Sequence, residues 1–377
     1  MTHDIVIIGA GPAGSSAAIL LARQGLRVAL CESKPFPREK VCGEFLGPRA
    51  RPLLHHLGVL DEFDHLAGPP ITRLLACAGH SHITAPLPPD PAGHHARAIS
   101  RATLDHLLLD HARLAGATIF QPCHITSVTG SLRAGFTTTT RDGHTLHSKN
   151  IALAHGLAHR GDLSPDPHPP PKTPARYLCF KTHIAGPHIP PDTIAIAGAP
   201  GMYAGLVRSS NDTPAPRAAL AFVIRRSRLA TIGNNPDAHL ATLLHHNPAF
   251  RRLLSDSHPV APWLASGPLI PGIRQIYHDG RFFLGNAAGE VHALVGEGMT
   301  LAMRSALLLA DAIHTHALTP AAGAHYEHAW RRMFAPRRAA AGLFAQLIMR
   351  PPIARPAAAL LRAAPPLMAA CVRWAGK

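Results

Sequence analysis

Three glycines, Gly9, Gly11 and Gly14, stand between an apolar run and a run rich in alanine and leucine, and no other feature constrains this chain as much. The segment HDIVIIGAG suits a buried parallel strand, and Pro12 to Gln24 suits a helix that Gly25 ends. At such a join Gly9 permits the tight turn, Gly11 lets the backbone approach a pyrophosphate, and Gly14 lets the helix pack closely on the strand. The diphosphate then rests against the helix N-terminus, beside Pro12 and Ala13, where backbone N–H groups and the helix dipole favour negative charge. LRVALCE supplies a second strand that Glu32 ends, about 20 residues past the motif, in place to accept hydrogen bonds from ribose hydroxyls. The glycines alone would be a weak signal. Strand, turn, helix, strand and acid in this order predict a dinucleotide site.

A chain of 377 residues, 46% hydrophobic and 16% charged, is too long for one minimal domain and can bury a large core. Its formal net charge of +15 attracts phosphates, anionic lipid surfaces or acidic carrier proteins, although basic residues spread along a solvated surface give the same balance. Nucleic acid is not expected as a partner. The six cysteines are dispersed without a Cys-x-x-Cys pair, which suits a reducing, cytoplasmic setting. The 28 histidines show no metal-ligand spacing, so no metal site is expected. No apolar run reaches the roughly 20 residues that span a bilayer, so membrane association would be peripheral, on the inner face.

The segment DGRFFLGNAAGEVHALVGEGMTLAMRSALLLADAI, from Asp279 to Ile313, reads as a strand ending at Gly285, a loop holding Gly296 and Gly298, and a long helix. Here the chain resembles the flavoprotein superfamily of geranylgeranyl reductases and p-hydroxybenzoate-hydroxylase-like enzymes. The resemblance implies FAD, with Gly285, Asn286, Gly296, Gly298 and Met299 along the ribityl chain and flavin. It also implies a helix N-terminus aimed at the pyrimidine edge, where its dipole stabilises the negative charge of reduced flavin. Two residues depart from the family pattern: Asn286 stands where Asp is usual, losing a charge-assisted hydrogen bond, and Ala293 replaces a proline before Gly-x-Gly.

PFPREKVCGEFLGPRARPLLHHLGV, from Pro35 to Val59, is similar to bacterial flavoproteins that carry Cys-Gly-Glu-Phe-Leu. The resemblance nominates Cys42, Gly43 and Glu44 as catalytic residues near the isoalloxazine ring, with Arg38 and Lys40 along the cofactor or the substrate entrance. Cys42 also reads as a small packing residue, and Glu44 as an exposed charge. Arg101, at the start of a helix with Leu104, Leu107 and Leu108 on its inner face, is expected to reach the flavin region; the alternative is a surface arginine. His155-Gly156 replaces the hydroxylases' Asp-Gly pair, so their nicotinamide site is not recognisable.

Between these segments, Ile71 to Leu87 reads as a hairpin and Ala175 to Ser227 as antiparallel strands, with Phe180 and Tyr203 as candidates to line a pocket roof. GDLSPDPHPPPKTPAR is a proline-rich connector, and the tail reads as basic amphipathic helical pieces broken at Pro336 and later prolines, suited to an anionic membrane surface or to capping an apolar tunnel. The expected fold is α/β: a Rossmann-type FAD-binding domain from residues 1–70, 97–165 and 270–320, an inserted antiparallel-sheet substrate domain from 71–96 and 166–269, and a C-terminal helical tail over 321–377. The expected activity is FAD-dependent oxidoreduction of a lipophilic, isoprenoid- or polyketide-like molecule, by double-bond reduction or hydroxylation, with NAD(P)H as donor. An aromatic-type monooxygenase, a cyclase-like relative without net redox change and a non-catalytic FAD-binding protein are the alternatives.

Overall fold

The computed structural model describes residues 2–156, 163, 177–209, 217–293 and 296–350, so the proline-rich connector and the extreme tail lie outside the described residues. In chain order the principal elements are β1 (Thr2–Ile8), α1 (Pro12–Arg23), β2 (Val28–Cys31), β3 (Arg73–Ala78), β4 (Ser81–Pro86), α2 (Arg101–Leu114), β5 (Thr118–Phe120), β6 (Ile125–Ser131), β7 (Gly135–Thr140) and β8 (Thr145–Leu153). There follow β9 (Tyr177–Ala185), β10 (Thr193–Ala199), β11 (Met202–Arg208), β12 (Arg217–Arg225), α3 (Pro236–His246), α4 (Pro248–Leu253), β13 (Leu264–Leu269), β14 (Arg281–Phe283), α5 (Gly298–His316) and α6 (Pro320–Ile348).

The first sheet orders β14-β8-β1-β2-β5, all parallel, with Ile5 opposite Asn150 on one side and Val28 on the other. Parallel strands covered on both faces must be apolar throughout, and Ile5, Val6 and Ile7 are fully buried. The β6-β7 hairpin extends this sheet antiparallel along the first half of β8. Helix α1 packs between α2 and α5, and its crossing with the β1 turn depends on Gly14: a Cβ there would lie 1.8 Å from the Gly9 carbonyl oxygen. Gly14→Ala is therefore expected to push α1 off the strand and cost about 3 kcal/mol, measured as a lowered urea midpoint.

The second sheet orders β9-β12-β11-β10-β3-β4, with β13 added on β9. Its pairings along that path are antiparallel except β10 on β3, which is parallel because the chain returns to this sheet after building β5 to β8. The side-chain period of two divides the sheet into two faces. Phe180, Ile184 and Phe222 join Leu243, Ala249 and Phe250 of α3 and α4 in one core, whereas Tyr177, Cys179, Tyr203, Val223 and Leu269 cluster separately. Helix α6 continues across Pro336 where the sequence suggested a break. A proline removes one backbone hydrogen bond, and its alanine- and arginine-rich neighbours are good helix formers. Among the described residues no helix is long and apolar enough to cross a membrane.

Candidate functional site

Two clefts meet at the glycine turn and share Gly11, Lys40 and Ala154. The first runs from Gly9 past Cys31, Glu32 and Arg38; the second runs from Pro12 and Ala13 under the second sheet to Gly298 and Met299. Gly9 has φ +105°, and a Cβ there would strike the Ala154 carbonyl oxygen at 2.6 Å. At Gly11 a Cβ would meet only Arg101 Nη2, at 3.7 Å, so the turn is open toward the cleft. Helix α1 begins without a side-chain cap, leaving its first N–H groups for a ligand.

Glu32 is buried at the end of β2, and its carboxylate accepts from Ala10 N and Lys34 N, each at 3.0 Å. Longer contacts of 3.4 Å come from Arg38 Nη2 and Ser33 Oγ, and these are the ones that ribose hydroxyls can replace. Arg101 is buried rather than at the surface. It forms a bidentate pair with Asp105 one helical turn later, at 2.8 and 2.7 Å, and Arg38 reaches the same carboxylate at 3.0 Å. Asp105 thus fixes two guanidinium groups, one of them beside the glycine turn at Gly11; its signal in the sequence was the i,i+4 spacing from Arg101. Burial, with the Arg101 and Arg38 charges nearby, holds the Lys40 ammonium below its ordinary pKa, to about 8.

The far end of the second cleft is built where three small residues meet. Gly285 has φ +56°, and a Cβ there would crowd Ala13 of α1 and Ala302 of α5 at 3.2 and 3.4 Å. Asn286, Ala293 and Gly296 line the same cleft, and the Asn286 backbone carbonyl accepts from Arg274 Nη1 at 2.6 Å. Helix α5 starts at Gly298 with no side-chain cap. The geometry of both ends fits FAD: an acid and a glycine turn for the ADP half, and an uncapped helix terminus for the flavin half.

Cys42, Gly43 and Glu44 all line the second cleft. Gly43 is exposed with open space around it, and burial pushes the Cys42 thiol pKa up, so Cys42 is held as a neutral thiol. Glu44 is not the exposed charge of the alternative reading: it is fully buried, with φ +58°. Its carboxylate pairs with Lys181 Nζ, and both of its oxygens lie 3.1 Å from His183 Nε2. Burial opposes ionisation of Glu44, but His183 and the Lys181 charge outweigh it and hold its pKa below the usual carboxylate value. Lys181 also pairs with Glu39 and is itself only 1% exposed. Glu39, Glu44 and His183 would otherwise suit a cation, but the Lys181 ammonium already lies between the two carboxylates.

Lys181 was missed by sequence reasoning. Its signal was a charge in the middle of an apolar strand, two residues from Cys179 and two from His183 and so on their face. Phe180 contributes to the cleft lining while its ring stacks on Phe222 at 5.1 Å; Tyr203 does not line the cleft and packs with Cys179 and Val223.

Residues 2–158 match the family model described as FAD binding domain. Among curated proteins, the chain is 24% identical over 392 residues to conditioned medium factor receptor 1 of Dictyostelium discoideum, covering 95% of this chain and 73% of that protein. It is 32% identical over 158 residues to the menaquinone reductase of Mycobacterium tuberculosis, a match that spans 41% of this chain and 37% of the reductase. Among solved structures, the flavin-dependent brominase Bmp2 superposes with a TM-score of 0.79 at 20% identity, covering 100% of this chain and 94% of the brominase. Residues 2–158 thus match an FAD binding domain, and the chain is an FAD-dependent oxidoreductase.

Proposed function

We propose that the chain reduces a carbon–carbon double bond in a lipophilic, isoprenoid- or polyketide-like substrate, with NADPH as the electron donor. The observation that carries this reading is the composition of the second cleft. Ala221, Val223 and Leu269 from the second sheet face Val41 and Phe45 from the Cys42–Glu44 loop, and the only charged side chains among its described lining residues are Lys40, Glu44 and Arg101. An apolar cavity with a few placed polar groups favours an apolar ligand held in one orientation. The 158-residue match to a menaquinone reductase supports a lipophilic substrate.

Bound FAD supplies hydride transfer to and from carbon. The chain's own residues bind and orient. Arg38, Arg101 and Lys40 hold the anionic diphosphate, and the α5 N-terminus favours negative charge on the pyrimidine edge. The Cys42–Glu44 loop and the sheet exclude water from the reacting face, and Cys42 offers a neutral thiol as a hydrogen-bond donor there. The net positive charge of the sequence supports collection of the substrate from an anionic membrane surface or from an acidic carrier protein.

Anaerobic titration with NADPH, followed by visible absorption, tests this. Bleaching of the yellow protein is expected, followed by reoxidation without oxygen when a polyprenyl quinone or another unsaturated lipid is added. Reoxidation only by oxygen, with an oxygen atom gained by the substrate, would replace the reading with monooxygenation. A yellow protein that NADPH does not bleach would remove NADPH as the donor and, if no other donor reduces it, favour a non-catalytic role.

A further inference from the structure

The FAD cleft contains two cysteines that its cofactor chemistry does not use. Cys31 ends β2 immediately before Glu32, and Cys123 follows β5, which pairs with β2 in parallel so that Phe120 lies opposite Cys31. The Cys123 backbone N–H donates to the Glu32 carbonyl at 2.6 Å, which ties the two segments together where the sulfurs stand. Both side chains line the cleft that also holds Glu32 and Arg38, and the two thiols are near enough to shift each other's pKa. Cys31 is 1% exposed, whereas Cys123 is half-buried and reachable from solvent.

We propose that Cys31 and Cys123 form a peroxide-oxidisable dithiol whose conversion to a disulfide weakens FAD binding. This rests on the reading of the Glu32 cleft as the adenosine end of the FAD site. The oxidant is hydrogen peroxide. The Cys123 thiolate attacks one peroxide oxygen; the O–O bond breaks, an S–O bond forms, and hydroxide leaves as water after taking a proton. The Cys31 sulfur then attacks the sulfenic sulfur of Cys123; the S–S bond forms, the S–O bond breaks, and a second water leaves with the Cys31 proton. Two thiols lose two electrons and two protons, and one peroxide becomes two waters.

The order of attack follows from the surroundings. The neighbouring Cys31 thiol holds the Cys123 pKa below the ordinary thiol value, while the Cys123 thiol and burial push Cys31 up. Cys123 is therefore the accessible thiol that ionises first, and Cys31 is the shielded thiol that resolves it. Closing the bond draws the Cys123 segment toward β2, and so moves the wall of the cleft beside the carboxylate that meets the ribose.

The experiment uses the FAD-bound protein, reduced, freed of reductant and treated with stoichiometric hydrogen peroxide. Non-reducing peptide mapping is expected to show Cys31 joined to Cys123, and FAD titration to show about tenfold weaker binding, ~1.4 kcal/mol, restored by dithiothreitol. In Cys31→Ala the Cys123 sulfenic acid is expected to be trapped by dimedone, with no cross-link and no peroxide effect on FAD affinity. Cys123→Ala should form neither product and serves if the first variant does not fold. Both thiols remaining alkylatable while peroxide oxidises another cysteine would overturn the proposal, as would a disulfide that leaves FAD affinity unchanged. A reduced protein that takes up no FAD would instead count against the cofactor site.

Discussion

Gly11→Val is expected to give a folded but colourless protein. Gly11 caps α1 at φ −74° and ψ −175°, an extended conformation that valine adopts readily. Its Cβ would meet only the end of the Arg101 side chain, at ordinary van der Waals distance. The fold therefore tolerates the substitution. The two added methyl groups project into the trough between the glycine turn and Arg101, where the diphosphate must approach the backbone, and no rotamer withdraws both. FAD affinity should fall by at least about 100-fold, ~2.7 kcal/mol, with the far-ultraviolet circular dichroism unchanged. The ratio of flavin to protein absorbance after desalting measures this, and recovery of stoichiometric FAD would overturn the placement of the dinucleotide. Gly14→Ala is the contrasting case, because its Cβ meets backbone and the loss there is of stability.

Lys181→Met has the largest expected effect on stability. It leaves Glu44, with none of its surface exposed, facing Glu39 across the space the ammonium held. Breaking a buried pair from one side costs about 3–5 kcal/mol, because His183 alone is left to offset a Glu44 charge that water does not reach. Replacing both members, as Lys181→Met with Glu44→Gln, should cost less than Lys181→Met alone. The pH dependence gives a sign that a packing defect would not. In the parent protein Glu44 has a depressed pKa, so its contribution is complete above the unfolded carboxyl value of ~4.3 and is lost as pH falls through the folded value. Without Lys181 only His183 still opposes the effect of burial, so the carboxyl protonates at a higher pH than in the parent protein. The variant's deficit should therefore shrink as pH falls from about 7 toward about 4, measured as urea midpoints across that range. A deficit independent of pH would mean that Lys181 matters for its packing alone.

The cofactor half of this molecule was legible because its chemistry is local. Gly9, Gly11, Gly14 and Glu32 lie within one strand-helix-strand passage, and each is required there by backbone geometry that a linear pattern records. The Gly285–Met299 passage is similar: small residues, then an uncapped helix start, mark a close approach of chain to ligand. The reading of the second sheet also came from a local signal, the alternation of apolar residues, which gives strands but not their neighbours.

What the tertiary structure alone decided are the pairings between distant segments. Lys181 and Glu44 are separated by 137 residues, and nothing in either neighbourhood announces the other. Glu44 was nominated for the cleft, and an exposed charge stayed open as its alternative because a carboxylate is normally buried only with a partner, and its partner sits on a strand of the other sheet. Cys31 and Cys123 looked dispersed for the same reason: they line one cleft because β5 is laid beside β2 in one register. By itself the sequence determined the strand-turn-helix geometry that receives the dinucleotide, since steric limits on φ and ψ act between neighbours. Which side chains face one another across the cleft was settled by sheet register and by the packing of one sheet over the other, which act between residues that the chain keeps far apart.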